Sequence, residues 1–153
     1  MLRIHRANPD DLDGMELVEG ASFEVNRFER DVLHILISEE DFHSWVAEID
    51  GETVGYAAAA DREDGHVRLV SIAVIPSRRE QGVGRELLRR VRGHAAARNC
   101  GRISLEVRMS NVPAINLYLN SGYRIKGVLK DYYSKGSEGP EDALYMILDL
   151  DEG

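Results

Sequence analysis

The sequence predicts an α+β fold, helices on a mixed sheet (α/β mixed sheet), in one domain over residues 1–153. Three observations predict it. Helical and strand periodicities alternate along the chain in the order β-α-α-β-β-β-α-β-α-β-β. Asp50-Gly51 marks a tight hairpin inside a run of three strands. The apolar segment Ser71–Ile75 runs into a basic turn with two glycines, and that turn opens an amphipathic helix.

Each element has its own signal. Leu2 to Ala7 alternates as a short strand. Asn8 and Pro9 supply a cap and a first-turn proline for a helix through Leu12, Met15, Leu17 and Val18, with Gly20 as its end. Residues 21–26 read as a loop carrying exposed apolar side chains. A second helix covers Phe28 to Ile37, with Val32, Leu33, Leu36 and Ile37 inward. Phe42 to Ile49 and Thr53 to Ala60 form the hairpin, and Asp61 to Gly65 is a polar turn before a strand from His66 to Ile75. The helix from Gly82 puts Val83, Leu87, Leu88, Val91 and Ala95 on one face, and Gly101 closes it in the left-handed conformation. Arg102 to Arg108 is a strand with Ile103, Leu105 and Val107 on one side and Ser104, Glu106 and Arg108 on the other. Asn111 caps a helix with Ile115, Leu119 and Gly122 in its stripe. Two strands, Tyr123 to Tyr133 and Ala143 to Leu150, flank a polar loop over Ser134 to Pro140.

With 153 residues, 43% apolar and 30% charged, the chain can bury one real core. A net charge of −8 argues against nucleic-acid or anionic-membrane partners and suits a cationic amine substrate, although solubility alone accounts for most of it. The single cysteine, Cys100, excludes an intrachain disulfide and a cysteine metal cluster. The five histidines include no His-x-x-x-His pair, so no metal is expected. No signal peptide or membrane span is apparent, which predicts a soluble, cytoplasmic protein. No Gly-x-Ser-x-Gly or Cys/His arrangement suggests a hydrolase.

The turn after Ile75 is an anion site in the making. The first amides of a helix lack intrahelical partners, and the helix dipole adds positive potential there. Gly82 and Gly84 would let a ligand approach the backbone closely. Such a site suits a phosphate or pyrophosphate. The spacing Arg79-x-x-Gly82-x-Gly84 resembles the acyl-CoA pyrophosphate loop of the GNAT superfamily of N-acetyltransferases. The run Leu105-Glu106-Val107-Arg108-x-Ser110-Asn111-x-x-Ala114-Ile115-x-Leu117-Tyr118-x-x-x-Gly122-Tyr123 resembles RimI-type and archaeal protein N-terminal acetyltransferases. So does the ending Asp131-Tyr132-Tyr133 with Glu141-Asp142-Ala143-x-x-Met146. The likeness covers the chain from about Leu69 onward; the first seventy residues agree in outline.

The resemblance implies the GNAT fold, acetyl-CoA as cosubstrate without a metal, and a protein or peptide N-terminus as acceptor. It leaves room for ribosome association or an auxiliary subunit. The alternative within the fold is a small-molecule amine or a lysine side chain. Chemistry requires a neutral attacking amine, hence a base, and an acid for the leaving thiolate. Glu106 is the expected base; its bland alternative is a surface carboxylate paired with Arg108 or Arg124. Tyr118 is the expected acid; its alternative is a core ring whose hydroxyl finds a backbone partner. The cofactor contacts are the backbone of Ile72, Ala73 and Val74, the loop Arg79, Glu80, Gln81, Gly82, Val83, Gly84 and Arg85, and Asn111, which is also a good N-cap. Phe23, Glu24, Tyr132 and Tyr133 are the expected walls of the substrate groove. The first of these loops reads Ser-Phe-Glu-Val-Asn rather than the Phe-Pro-Trp of many RimI proteins, which leaves the preferred first residues open.

Overall fold

The computed structural model describes residues 1–23, 27–136 and 139–150. Its strands are β1 (Leu2–Arg6), β2 (Phe42–Ile49), β3 (Glu52–Arg62), β4 (His66–Val74), β5 (Arg102–Arg108), β6 (Arg124–Gly136) and β7 (Gly139–Asp149). Its α-helices are α1 (Leu12–Ser22), α2 (Arg30–Ser38), α3 (Val83–Ala97) and α4 (Val112–Asn120). The strands form one sheet in the order β1-β2-β3-β4-β5-β7-β6. Only β4 and β5 run parallel; the other neighbours are antiparallel. The mixed sheet and the element order are those the sequence predicts.

Helices cover both faces, so the central strands are buried on both sides. In β3, Ala57 and Ala59 face α3, while Tyr56 and Ala58 face α1 and α2. The α3 stripe Val83, Leu87, Leu88, Val91 and Ala95 is buried as its spacing requires. On the other face, Met15 and Val18 of α1 pack with Leu33 and Leu36 of α2. Burying such side chains is the main favourable term, at roughly 25 cal/mol per Å² of apolar surface.

The feature that makes a site is a split in the sheet. β4 pairs with β5 only over His66–Arg68 against Arg102–Ser104. Beyond that point β4 stays with β3 as far as Val74↔Gly55, and β5 stays with β7 as far as Arg108↔Ala143. A bulge lies at the branch: Ala58 opposes Ser71 and Ala59 opposes Leu69, so Val70 is the extra residue on β4. Bulges bend and twist a strand. This one turns β4 away from β5 just past Arg68 and leaves an open wedge between their C-terminal halves. Gly55 sits at the bent end. A Cβ there would lie 2.8 Å from the Ala73 carbonyl oxygen, a backbone atom that cannot step aside. Gly55→Ala is therefore expected to cost about 1–3 kcal/mol, read as a lower midpoint in chemical denaturation.

Several boundaries differ from expectation. α1 does not stop at Gly20; the Phe23 N–H still donates to the Glu19 carbonyl, and the ladder runs through. α2 begins at Arg30 rather than Phe28. Asn99, not Gly101, takes the left-handed conformation after α3 (φ 58°), because the Cys100 N–H turns back to the Ala95 carbonyl one residue earlier. Within the segment expected to be a polar loop, residues 134–136 and 139–140 are strand: the β6–β7 ladder includes Gly136↔Gly139. Val32 and Leu119, expected inward, are exposed.

At the end of the sheet away from the wedge, the structure gathers side chains that sequence spacing keeps apart. Asp61 accepts from His94 Nε2 at 2.8 Å through one oxygen and from His43 Nε2 at 2.9 Å through the other. Arg6 donates to His43 Nδ1 at 2.7 Å, and Arg98 lies 3.0 Å from Asp61. A guanidinium can only donate, so His43 is neutral with its proton on Nε2. Two guanidiniums and a blocked Nδ1 make this an ion-pair and hydrogen-bond network rather than a cation site. Burial, followed by the His94 and Arg6 charges, pushes the His43 proton affinity down against the pull of Asp61. A depressed folded value means stability that is full above about pH 6.5 and lost as the pH falls below it. Thermal midpoints of His43→Gln should thus fall less between pH 7.5 and 5 than those of the parent.

Candidate active site

The wedge between β4 and β5 is bounded at its open end by the turn into α3. Pro76–Arg78 forms a short 3-10 turn, Glu80 adopts φ 63°, and Gly82 caps α3 at φ 84°. The first helical bond of α3 runs from the Glu86 N–H to the Gly82 carbonyl, which leaves the amides of Val83, Gly84 and Arg85 outside the ladder. Those amides, the helix dipole and the side chain of Arg85 form a positive rim. The two glycines differ in their surroundings. Gly82 is needed for its positive φ and has open space where a side chain would go. At Gly84 a Cβ would lie 2.9 Å from the Leu117 side chain of α4, so its smallness also serves close packing of α3 on α4. Arg79 is not free either: its Nε donates to the Val74 carbonyl at 2.9 Å and braces the turn against β4.

On the helix face of the wedge, Asn111 caps α4 by accepting from the Ala114 N–H at 3.3 Å, which leaves its amide nitrogen available. Tyr118 is buried one turn from the end of α4, its ring centroid 5.8 Å from that of Tyr123. Burial, then Tyr123 and Tyr133, pushes its proton affinity well up, so the hydroxyl remains a donor. Among the described residues that hydroxyl has no protein partner, contrary to the alternative of a backbone bond. Farther along, Arg85, Arg89, Arg92 and Asn120 line a pocket of about 190 Å³ between α3 and the end of α4.

The opposite face carries Glu106. Its side chain is only 9% exposed. It pairs neither with Arg108 nor with Arg124, which bind Glu141 and Asp149. Its partner is Arg68, whose Nε and Nη2 reach Oε1 at 2.8 and 2.7 Å. The Tyr132 hydroxyl donates to the same oxygen at 3.3 Å. Tyr132 and Tyr133 stand edge to face, centroids 5.0 Å apart. A strict strand would send them to opposite faces. Asp131, at φ 52°, sits where the register slips, and the Asp142 carboxylate accepts from its N–H at 2.8 Å. Glu141 accepts from the Ser110 N–H and from Arg108, and the Arg108 guanidinium lies 4.1 Å over the Tyr133 ring. The Ser110 and Arg108 bonds hold the Glu141 carboxyl below the usual range. The Glu141-Asp142 pair thus shapes the tyrosine wall. Burial first, then Tyr132, pushes the Tyr133 hydroxyl up to about 12, with Arg108 opposing.

Phe23 is half-buried against the α1–α2 core. Glu24 lies outside the described residues. Nearby, the buried Glu19 carboxylate accepts from Tyr56 and, at 2.7 Å, from the Phe28 N–H, tying both ends of this segment to β3. Burial raises its proton affinity, and those two bonds oppose the rise. Arg68 and Glu19 lie outside the motifs, and Glu141 and Asp142, which belong to the C-terminal motif, had no role assigned to them from the sequence.

The wedge thus has a Gly-capped helix start at its rim, a nearly buried carboxylate on one side, and on the other α4 with the buried Tyr118. The model of the acetyltransferase (GNAT) family matches residues 12–123. The chain belongs to the acetyltransferase (GNAT) family. This GNAT protein is an N-acetyltransferase, like its relatives. It is 36% identical over 146 residues to an uncharacterized N-acetyltransferase of Methanocaldococcus jannaschii, covering 94% of this chain and 89% of the relative. It is 38% identical over 120 residues to the N-alpha-acetyltransferase of Sulfurisphaera tokodaii, covering 69% and 68%. Among solved structures, the ribosomal-protein-S18-alanine N-acetyltransferase of Escherichia coli superimposes with a TM-score of 0.89 at 25% identity, covering 100% of this chain and 96% of that one.

Proposed function

We propose that this GNAT enzyme transfers the acetyl group of acetyl-CoA to the N-terminal α-amino group of a cytoplasmic protein, by direct attack in a ternary complex. The observation that carries this reading is Glu106, a nearly buried carboxylate held near the apex of the wedge beside Tyr132. The free edge of β4 at Ile72, Ala73 and Val74 bonds the pantetheine arm as a pseudo-strand, and a backbone N–H there polarises the thioester carbonyl. The rim from Gln81 to Arg85 takes the pyrophosphate, and the Asn111 amide touches the arm. The arginine pocket beside Asn120 suits further phosphate. Phe23, Tyr132 and Tyr133 wall the peptide groove.

A substrate α-ammonium loses its proton to Glu106, directly or through a water. The neutral amine then forms a C–N bond at the thioester carbonyl carbon and the C–S bond breaks; the departing thiolate, met by a hydrogen bond from the Tyr118 hydroxyl, takes up the second proton released from the acylated nitrogen, and Glu106 returns the first to water. The names of the relatives at the S18 alanine and at N-alpha positions favour the α-amine over a lysine or a small amine. The test is thiol release from acetyl-CoA with a panel of short free-N-terminus peptides beside small amines. Turnover across several peptides with an N-terminal preference supports the reading; turnover only on small amines overturns it.

A further inference from the structure

We propose that Arg68 is the positioning residue for Glu106: its guanidinium pins the carboxylate by Oε1 and leaves Oε2 free for the substrate amine. The inference rests on the reading of Glu106 as the base. Arg68 occupies the last register pair that joins β4 to β5, opposite Ser104, at the apex of the wedge. The Val70 bulge follows immediately, so the guanidinium reaches along the opening instead of across a closed ladder. Two of its nitrogens meet one oxygen, at 2.8 and 2.7 Å, and the Tyr132 hydroxyl meets that oxygen too. Among the described residues Oε2 has no partner. The other basic groups nearby have partners elsewhere: Arg108 pairs with Glu141, and the His66 ring bonds the Ser104 hydroxyl at 2.5 Å.

The chemistry requires such a partner. A carboxylate 9% exposed in a site that closes over a ligand loses most of its hydration, and ionised groups are buried only when paired. Arginine suits the task because its rigid fork fixes direction as well as charge; a lysine at the same place would supply charge alone. Arg68 is itself 29% exposed, so its own charge keeps some water while it restrains Glu106. With one oxygen fixed by a fork and a phenol, the plane of the carboxylate has little freedom, and Oε2 is held where the amine proton must go. Misplacing a reacting group by about 1 Å costs on the order of 100-fold in rate.

A double-mutant cycle separates this role from a structural one. Steady-state acetylation of a free-N-terminus peptide is measured for Arg68→Gln, Glu106→Gln and the pair, with thermal midpoints by circular dichroism. Arg68→Gln alone should lower kcat roughly 10- to 100-fold with the KM for acetyl-CoA within about twofold. In the Glu106→Gln background it should cost nothing further. Millimolar guanidinium should restore part of the turnover lost in Arg68→Ala, and Arg68→Lys, which keeps the fold charged, should fall between. Equal losses from Arg68→Gln in both backgrounds, or an unchanged kcat where Glu106→Gln is inactive, overturns the role of Arg68 while the base assignment stands. Full turnover in Glu106→Gln alone removes the base assignment, and the role of Arg68 with it.

Discussion

Replacing Glu106 by glutamine lowers kcat for peptide acetylation by about 10²- to 10⁴-fold, the range a positioned base contributes. The substitution preserves volume, and the amide oxygen can still accept from Arg68, so packing at the apex of the wedge survives. What disappears is the proposed proton acceptor. The α-ammonium of a peptide has a pKa of roughly 7.7–8.0, so at neutral pH most of it is protonated and must be drained. The loss in the variant should therefore be largest near pH 6.5 and shrink as the pH rises toward 9, where the amine arrives neutral. KM for acetyl-CoA should stay near the parent value, because Glu106 lies on the wall opposite α3 and α4. Stopped-time assays over that pH range check all three points.

Tyr118→Phe should give a smaller loss, about 10²-fold in kcat, with no loss of stability. Burial holds the phenol far above the range in which it would hand over its proton completely. Its service to the departing thiolate is then mainly a hydrogen bond, comparable to a single oxyanion donor. Since the hydroxyl has no protein partner among the described residues, removing it strands no other polar group, and the ring packing against Tyr123 is kept. A thermal midpoint equal to or above the parent, together with the fall in kcat, is the expected pair of results. A variant that loses stability as much as activity would make Tyr118 a core residue only.

The strands were legible where short-range chemistry decides them. Asp50-Gly51 closes β2 and β3, and β5 begins and ends at the predicted residues, because turn geometry and period-two alternation are local. The α3 stripe was legible for the same reason. Gly20 misleads because a glycine inside a helix costs about 1 kcal/mol, less than the tertiary packing of Met15 and Val18 returns. The segment 134–140 looks like a loop by composition, yet at residues 134–136 and 139–140 pairing with the partner strand extends the ladder. Glu106, Tyr118, Asn111 and the paired tyrosines could be proposed from their motifs. Arg68 could not, since its partnership depends on the β4–β5 register and on a bulge at Val70. The same holds for His43, Asp61 and His94, which come from three separate elements. The two roles of Gly82 and Gly84 became distinct only once Leu117 was placed beside one of them.

The central claim concerns which amine is acetylated, and one competition decides it. A peptide bearing both a free N-terminus and an internal lysine is incubated with acetyl-CoA and the full chain, and the product is mapped by fragmentation mass spectrometry. Acetyl found at the α-amine, with the lysine unmodified until the N-terminus is consumed, is the predicted result. Acetyl found first on the lysine, with the N-terminus still free, contradicts it.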